Sequence, residues 1–240
     1  AYFLKIKGHD VTIFDAMPKM GGMLRYGIPQ YRLPKEVLDK ESAIIEKAGV
    51  KLVNNVKLGR DFTIKSLKEQ NDAVIVAVGA WKSSSMRTPG EELEGVYGGI
   101  DFLRAVIKGN APEIGEKVAI CGGGNTAMDA CRTAVRLGAK EVYVIYRRTR
   151  NEMPADKLEI DEAEEEGVTY KFLTNPLSFN GENGKVKSIT LKGNNGEQVA
   201  GLVYINSSNA AMTLAAEMGS ADDPAVGGVG GNLIFDDTIL

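Results

Sequence analysis

Apolar and polar positions along this chain alternate between two periods. Short apolar runs at residues 11–14, 51–53, 73–78, 117–121 and 141–146 have strand character. Between them lie stretches in which apolar residues return every three or four positions, the helical pattern. Residues 1–7 read as the tail of an amphipathic helix, broken at Gly8. Residues 34–48 predict a helix with Val37, Leu38, Ile44, Ile45 and Ala48 on or near one face, and Leu67 marks a further short helix. The run at 73–78 is apolar throughout and bounded by Asp72 and Gly79, which predicts a central parallel strand. Residues 18–34, rich in Gly, Pro, Arg and Tyr, and residues 81–98 follow neither period. A helix is expected at 100–107 and a linker at 109–115.

The second half continues the alternation. Residues 154–166 predict an acidic helix ending at Gly167, with the charge run 161–166 as a solvated face. Residues 168–173, 176–179 and 185–191 predict a meander, with 181–184 as its hairpin turn. Beyond residue 196 the pattern weakens to a strand at 202–205, a helix at 210–218, a Gly-rich loop at 222–231 and a last strand at 233–235. Strands alternating with helices of this length place the chain in the α/β class, built on parallel sheets.

Composition narrows the function classes. Of 240 residues, 43% are hydrophobic and 25% charged, as in an ordinary globular protein, and the net charge of −3 argues against a nucleic-acid partner. No apolar run approaches membrane-span length, and the first residues do not have the order of a signal peptide. Cys121 and Cys131 match neither a zinc knuckle nor a C-x-x-C pair, so they read as reduced core residues of a cytoplasmic protein. His9, the one histidine, sits in a turn and reads as solvated.

The chemistry concentrates where Lys117-Val-Ala-Ile-Cys121 runs into Gly122-Gly-Gly-Asn-Thr-Ala127 and then into a helical pattern. Gly122 permits a tight turn, Gly124 lets backbone approach a pyrophosphate, and Ala127 keeps helix close to strand. The helix N-terminus then offers N–H groups and a positive dipole end to phosphates. The following strand ends in Arg147-Arg-Thr-Arg150, where a ribose is expected. An acid there suits a free 2′-OH, whereas Arg147 and Arg148 suit a 2′-phosphate, so the pattern points to NADPH rather than NADH. Residues 8–15 echo residues 138–147: a helix end, a turn, a strand and a residue placed for ribose. The first copy ends in Asp15, which suits FAD or NAD. Counting back from Asp15 by the spacing of the second unit puts the matching glycine loop before residue 1.

These residues carry a resemblance. The stretch from Gly8 through Gly21-Gly-Met-Leu-Arg-Tyr-Gly-Ile-Pro29 to Pro34 is similar to the FAD-side segment of the glutamate synthase small subunit. So is Gly122-Gly-Gly-Asn-Thr-Ala-Met-Asp129 with Tyr146-Arg-Arg-Thr-Arg-Asn-Glu-Met-Pro154. Similar domains occur in dihydropyrimidine dehydrogenase and in NADPH:ferredoxin transhydrogenases. The resemblance covers roughly residues 1–190 and implies two Rossmann-like, three-layer nucleotide-binding domains, the NADP domain inserted into an incomplete FAD domain. The expected division is a partial FAD-binding domain at 1–110, an NADP-binding domain at 116–215 and a return segment at 216–240.

The same resemblance implies a function. Hydride would pass from NADPH to FAD, and electrons onward to an iron–sulfur or large catalytic subunit. By position, Asp15 would meet the FAD ribose, Gly21, Gly22 and Arg25 would lie along the FAD, and Gly79 and Ala80 would add a second flavin contact. Gly122, Gly123, Gly124, Asn125 and Thr126 would hold the NADPH pyrophosphate, and Arg147 and Arg148 its 2′-phosphate. The family's N-terminal FAD glycine loop, its cysteine-rich region and its C-terminal Gly-Asp segment are not in the sequence. That leaves a second reading, an NADP(H)-binding module without FAD, structural or regulatory. A disulfide reductase needs a cysteine pair beside the flavin; Cys121 and Cys131 fall in the other domain, which sets that reading aside. No catalytic acid, base or metal ligand is expected, because hydride transfer between two cofactors draws its reactivity from them.

Overall fold

In a computed structural model, residues 1–193 are described in full, and residues 198–200 and 204–206 by their backbone. The expected helix at 210–218, loop at 222–231, strand at 233–235 and return segment at 216–240 lie outside the described residues. Among the described residues, contacts divide the chain into two compact units. One comprises residues 1–26 and 30–79, the other residues 27–29 and the described residues from Ala80 onward. Residues 80–110, expected with the first domain, group with the second unit.

The first unit holds α1 (Tyr2–Ile6), β1 (Thr12–Phe14), α2 (Gly22–Tyr26), α3 (Lys35–Lys47), β2 (Lys51–Val53) and α4 (Ile64–Gln70). β1 and β2 pair in parallel, Ile13 opposite Leu52. α4 begins where Thr63 and Ser66 cap each other, each side-chain oxygen accepting from the other's backbone N–H at 3.1 Å. α2 lies inside the aperiodic stretch and is too short to show a period. Its Arg25 and Tyr26 are buried, and Arg25 Nη2 donates to Asp39 Oδ1 of α3 at 2.7 Å. The helix at α3 forms as the periodicity predicts, but Leu38 is its buried residue, while Val37 and Ile44 stay exposed.

The central strand expected at 73–78 does not form. Those residues carry no strand assignment and pair with no described strand, and Ile75 and Val78 are 44% and 61% exposed. A fully apolar run becomes a central strand only when ladder neighbours and covering layers bury both its faces. Here the described sheet of this unit has two strands, β1 and β2.

The second unit is built around a four-stranded parallel sheet. In chain order it contains α5 (Gly99–Ile107), β3 (Lys117–Cys121), α6 (Asn125–Arg136), β4 (Glu141–Ile145), a 3₁₀ turn (Arg150–Glu152), α7 (Lys157–Glu165) and β5 (Thr169–Lys171). β6 (Thr174–Glu182), β7 (Lys185–Gly193), β8 (Gln198–Ala200) and β9 (Tyr204–Asn206) follow. The sheet order is β5-β4-β3-β9, so the chain steps outward from β3 and then returns to its other side. β6, β7 and β8 form a separate antiparallel meander. Residues 169–171 therefore belong to the parallel sheet, not to the meander as the sequence suggested. The hairpin turn is also tighter than expected. Glu182 pairs with Lys185, and Asn183 and Gly184, at φ 53° and 80°, make a two-residue turn matched to strand twist.

Alternation along β3 and β4 shows how the sheet is covered. Val118, Ile120, Val142 and Val144 face a core with Phe102 of α5, Met128 and Cys131 of α6 and Ile160 of α7. Ala119, Cys121 and Ile145 face the other way, onto Phe179, Val186, Ile189 and Leu191 of the meander. Two apolar faces explain why these strands read as unbroken apolar runs. Ala127, Ala130 and Ala134 of α6 are fully buried, which lets the helix lie close against the sheet.

The acidic helix is more than its expected solvated face. Arg132, buried on α6, contacts Glu159, Glu162 and Glu166 at 2.7, 2.6 and 2.9 Å, and Arg136 also pairs with Glu166. Arg150 pairs with Asp161 and Glu164 at 2.5 and 2.9 Å. The charge run is thus ion-paired to α6 and to Arg150, while Asp161 and Glu164 remain 60% and 58% exposed, so its outer face is solvated as the sequence suggested.

Candidate functional site

The C-terminal ends of β3 and β4 lie side by side at the place where strand order reverses, because the chain leaves β3 toward β4 and comes back at β9. Open α/β sheets bind ligands in the crevice at such a point. From β3 the chain turns at Gly122, whose φ of 146° lies outside the range that side chains favour, and whose N–H donates to Ile145 O at 3.0 Å. Gly123 is buried, and a Cβ added there would stand 2.6 Å from Tyr146 Cε2. Gly124 is the N-cap of α6, with its carbonyl accepting from Ala127 and Met128 at 2.9 and 3.2 Å. The first-turn N–H groups of Asn125 and Thr126 then lack acceptors within the helix. This turn fits a dinucleotide pyrophosphate: only glycine permits it, and it ends on the positive end of a twelve-residue helix.

Arg147 and Arg148 follow β4 after a single residue, Tyr146, and are both exposed. Their backbone is fixed from one side by the chain leading into β6. Tyr146 N–H donates to Lys171 O at 3.0 Å, Thr174 N–H to Tyr146 O at 3.1 Å, and Leu173 N–H to Arg148 O at 3.2 Å. From the other side, Tyr146 Oη donates to Glu152 O at 2.7 Å, and Glu152 Oε2 accepts from Thr149 N–H at 3.0 Å. That backbone hydrogen bond holds the Glu152 carboxyl below its usual range; burial works the other way, and the Thr149 hydroxyl and Arg148 charge assist. The loop then rejoins the glycine turn. Ala155 N–H donates to Gly123 O at 3.1 Å, and Asp156 N–H to Asn125 Oδ1 at 2.9 Å. The arginine loop thus departs beside Gly122 and returns at Gly123 and Asn125. Arg150, third of the basic cluster, points to α7 instead, pairing with Asp161 and Glu164 and lying 5.7 Å over the Tyr170 ring.

The structure therefore brings Gly122, Gly123, Gly124, Asn125, Thr126, Arg147 and Arg148 to the C-terminal end of one sheet. Tyr146, Glu152, Ala155 and Asp156 complete the arrangement and were not singled out for a role in the sequence. The signal was there in Tyr146 and the Glu152-Met-Pro run, but their partnership with the glycine turn depends on the third dimension.

The residues assigned to the flavin are divided. Asp15, Gly21, Gly22, Arg25 and Gly79 lie in the first unit, and Ala80 opens the second. Asp15 Oδ1 accepts from Met17 N–H at 2.8 Å, an Asx turn that uses one carboxylate oxygen. Gly21 and Gly22 have φ of 131° and 51°, and Gly79 of 70°. Arg25 does not present its guanidinium outward. It is 7% exposed, its Nε donates to Met20 O at 2.7 Å and its Nη2 to Asp39. Arg25 fastens the 19–26 segment to α3. The Asp39 carboxyl is held below its usual range by the Arg25 hydrogen bond, against a smaller effect of burial. The described residues of this unit show no second strand–glycine–helix turn like that after β3, so they fit only part of a flavin site.

Both thiols are buried, Cys121 against the meander and Cys131 inside α6, and burial pushes each up to about 12. Neither suits thiolate chemistry. Among the described residues, no helix is long and apolar enough to cross a membrane.

Comparison with known proteins agrees with this picture. The family model described as "Pyridine nucleotide-disulphide oxidoreductase" matches residues 1–219. The chain is 46% identical over 193 residues to the NADP(+)-dependent formate dehydrogenase subunit beta of Moorella thermoacetica, covering 79% of this chain and 27% of the relative. It is 36% identical to the glutamate synthase [NADPH] small chain of Azospirillum brasilense, covering 75% of this chain and 40% of the relative. The chain thus spans less than half the length of either curated relative. Among solved structures, FprA from Mycobacterium tuberculosis in complex with NADPH aligns with a TM-score of 0.68 at 20% identity, over 82% of this chain and 63% of that one. Thioredoxin reductase of T. acidophilum aligns at 0.63 and 16%, over 87% and 72%. These likenesses show the fold: Rossmann-like α/β units of the kind the sequence implied.

Proposed function

We propose that this chain, which belongs to the pyridine nucleotide-disulphide oxidoreductase family, is part of an NADPH-oxidising flavoprotein oxidoreductase. In this reading hydride passes from NADPH to FAD, and electrons move on to an iron–sulfur or larger catalytic subunit. The second compact unit is the NADP-binding domain and the first the FAD-side part. One observation carries the reading: the loop bearing Arg147 and Arg148 is hydrogen-bonded at both ends to the glycine turn that opens α6. Gly122 to Thr126 would hold the pyrophosphate by backbone N–H groups, and the two guanidinium groups would hold the 2′-phosphate. FAD, when bound, supplies the hydride acceptor; the chain's own contribution is position, stacking and exclusion of water. NADP(H) also features in the names of the formate dehydrogenase and glutamate synthase relatives, which supports the coenzyme choice and the expectation of a partner subunit. A cytoplasmic location fits two separate, reduced thiols.

A second reading, an NADP(H)-binding module without flavin, draws support from Arg25, whose guanidinium is committed to Met20 and Asp39 rather than turned outward. The test separates the two. Purified protein is titrated with NADPH and NADH, and its visible spectrum recorded. A flavin spectrum bleached by NADPH supports the oxidoreductase; a colourless protein that still prefers NADPH supports the module. Replacing Arg147 and Arg148 together with glutamine is expected to cost about 1.5–3 kcal/mol each toward NADPH and little toward NADH. Equal losses for both coenzymes refute the 2′-phosphate assignment.

A further inference from the structure

We propose that Tyr146 is a positioning residue that sets the preference for the phosphorylated coenzyme by holding the arginine loop in shape. The inference rests on the NADPH reading and adds a residue to it. Tyr146 is 5% exposed and is attached through four separate groups. Its N–H and C=O are bonded to Lys171 and Thr174. Its ring lies where a Gly123 Cβ would be, 2.6 Å away at the nearest ring atom, so ring and glycine turn are in mutual contact. Its hydroxyl donates to the carbonyl of Glu152 at 2.7 Å, across the loop.

These attachments do two different things. The ring supports the glycine turn, the pyrophosphate end of the site. The hydroxyl closes residues 147–152 by tying the loop's last residue to the residue just before its first, with the Thr149–Glu152 hydrogen bond inside that closure. Arg147 and Arg148 stand within the closed span. Two guanidinium groups grip one phosphate well only if their Cα positions are fixed relative to each other and to the ligand, because ordering them on binding costs affinity. The glycine turn needs only the ring.

Tyr146→Phe separates the two roles, since it keeps the ring and deletes the hydroxyl. Dissociation constants for NADPH and NADH are measured by titration on wild-type and variant protein. The variant is expected to bind NADPH about two- to tenfold more weakly, the range of one neutral hydrogen bond, with NADH unchanged. A purely structural tyrosine would weaken both coenzymes alike. Backbone hydrogen exchange gives a readout without ligand: amides of residues 149–153 are expected to exchange faster in the variant, while those of α6 do not. Unchanged NADPH affinity, equal losses for both coenzymes, or unchanged exchange in the loop would each overturn the proposal. A wild-type protein that does not distinguish NADPH from NADH would instead bring down the underlying coenzyme assignment, and this inference with it.

Discussion

Arg132→Met removes a cation that is 7% exposed and touches three carboxylates, Glu159 at 2.7 Å, Glu162 at 2.6 Å and Glu166 at 2.9 Å. Methionine keeps most of the buried stem, so the loss is mainly electrostatic. Deleting one partner of a buried ionic cluster costs about 3–5 kcal/mol, because the remaining charges stay buried without compensation. Two features move the figure to the low end. Glu162 is 38% exposed and is largely screened by water, and Glu166 keeps Arg136. The expected loss is about 3 kcal/mol at neutral pH, or about 6–12 °C in the melting temperature of a chain this size. The dependence on pH gives a second check. Burial of Glu166 works to raise its pKa, but hydrogen bonds from Arg136 and Arg132 outweigh burial and hold it below the usual value. Its stabilising contribution is therefore full above the unfolded-state pKa of about 4.3 and disappears as pH falls through the lower folded-state value. In the variant one of the two guanidinium groups that hold Glu166 down is gone, so less stability is lost when that carboxyl takes a proton. The gap between wild type and variant should narrow as pH drops below about 4.3. Urea unfolding followed by circular dichroism at several pH values reads both effects. A loss under about 0.5 kcal/mol, the range of a neutral surface change, or a gap that does not vary with pH, would refute the buried-cluster argument.

Two further perturbations probe the site. Gly123→Ala places a methyl 2.6 Å from the buried Tyr146 ring, which has little room to retreat, so urea unfolding should show a loss of about 1–3 kcal/mol together with weaker binding of both coenzymes. If Tyr146→Leu is added, the two losses should be less than additive; full additivity would show that the methyl meets something else. Cys121 and Cys131, with thiols pushed up to about 12 by burial, should resist alkylation at neutral pH and react only in denaturant. Rapid labelling of the folded protein would contradict their burial.

The parts that were legible before any coordinates share a physical cause. β3, α6 and β4 could be read because two apolar faces on each strand, a 3.6-residue period in the helix and a glycine at a positive-φ turn are all local constraints. So was the position of the basic stretch after β4, since it follows from where the strand ends. α2 could not be read, because five residues cannot display a period and its hold comes from Arg25 reaching Asp39, fourteen positions away in sequence. Residues 73–78 show the converse. Their apolar run has the composition of a central strand, yet strand formation needs partners, and no described strand pairs with them.

The sequence by itself determined the α/β order, the glycine turn and the presence of arginines after the second strand, because each depends on neighbours a few residues apart. Tertiary structure decided which arginine side chains stay exposed and which are drawn into carboxylate clusters. Arg147 and Arg148 stay exposed, while Arg150 is drawn to Asp161 and Glu164, and Arg132 to an acidic helix that looked merely solvated. It also decided that one tyrosine ring would stand behind Gly123. Charge pairing and ring contact act through distance in space, and residues far apart in sequence acquire a distance only when the chain has folded.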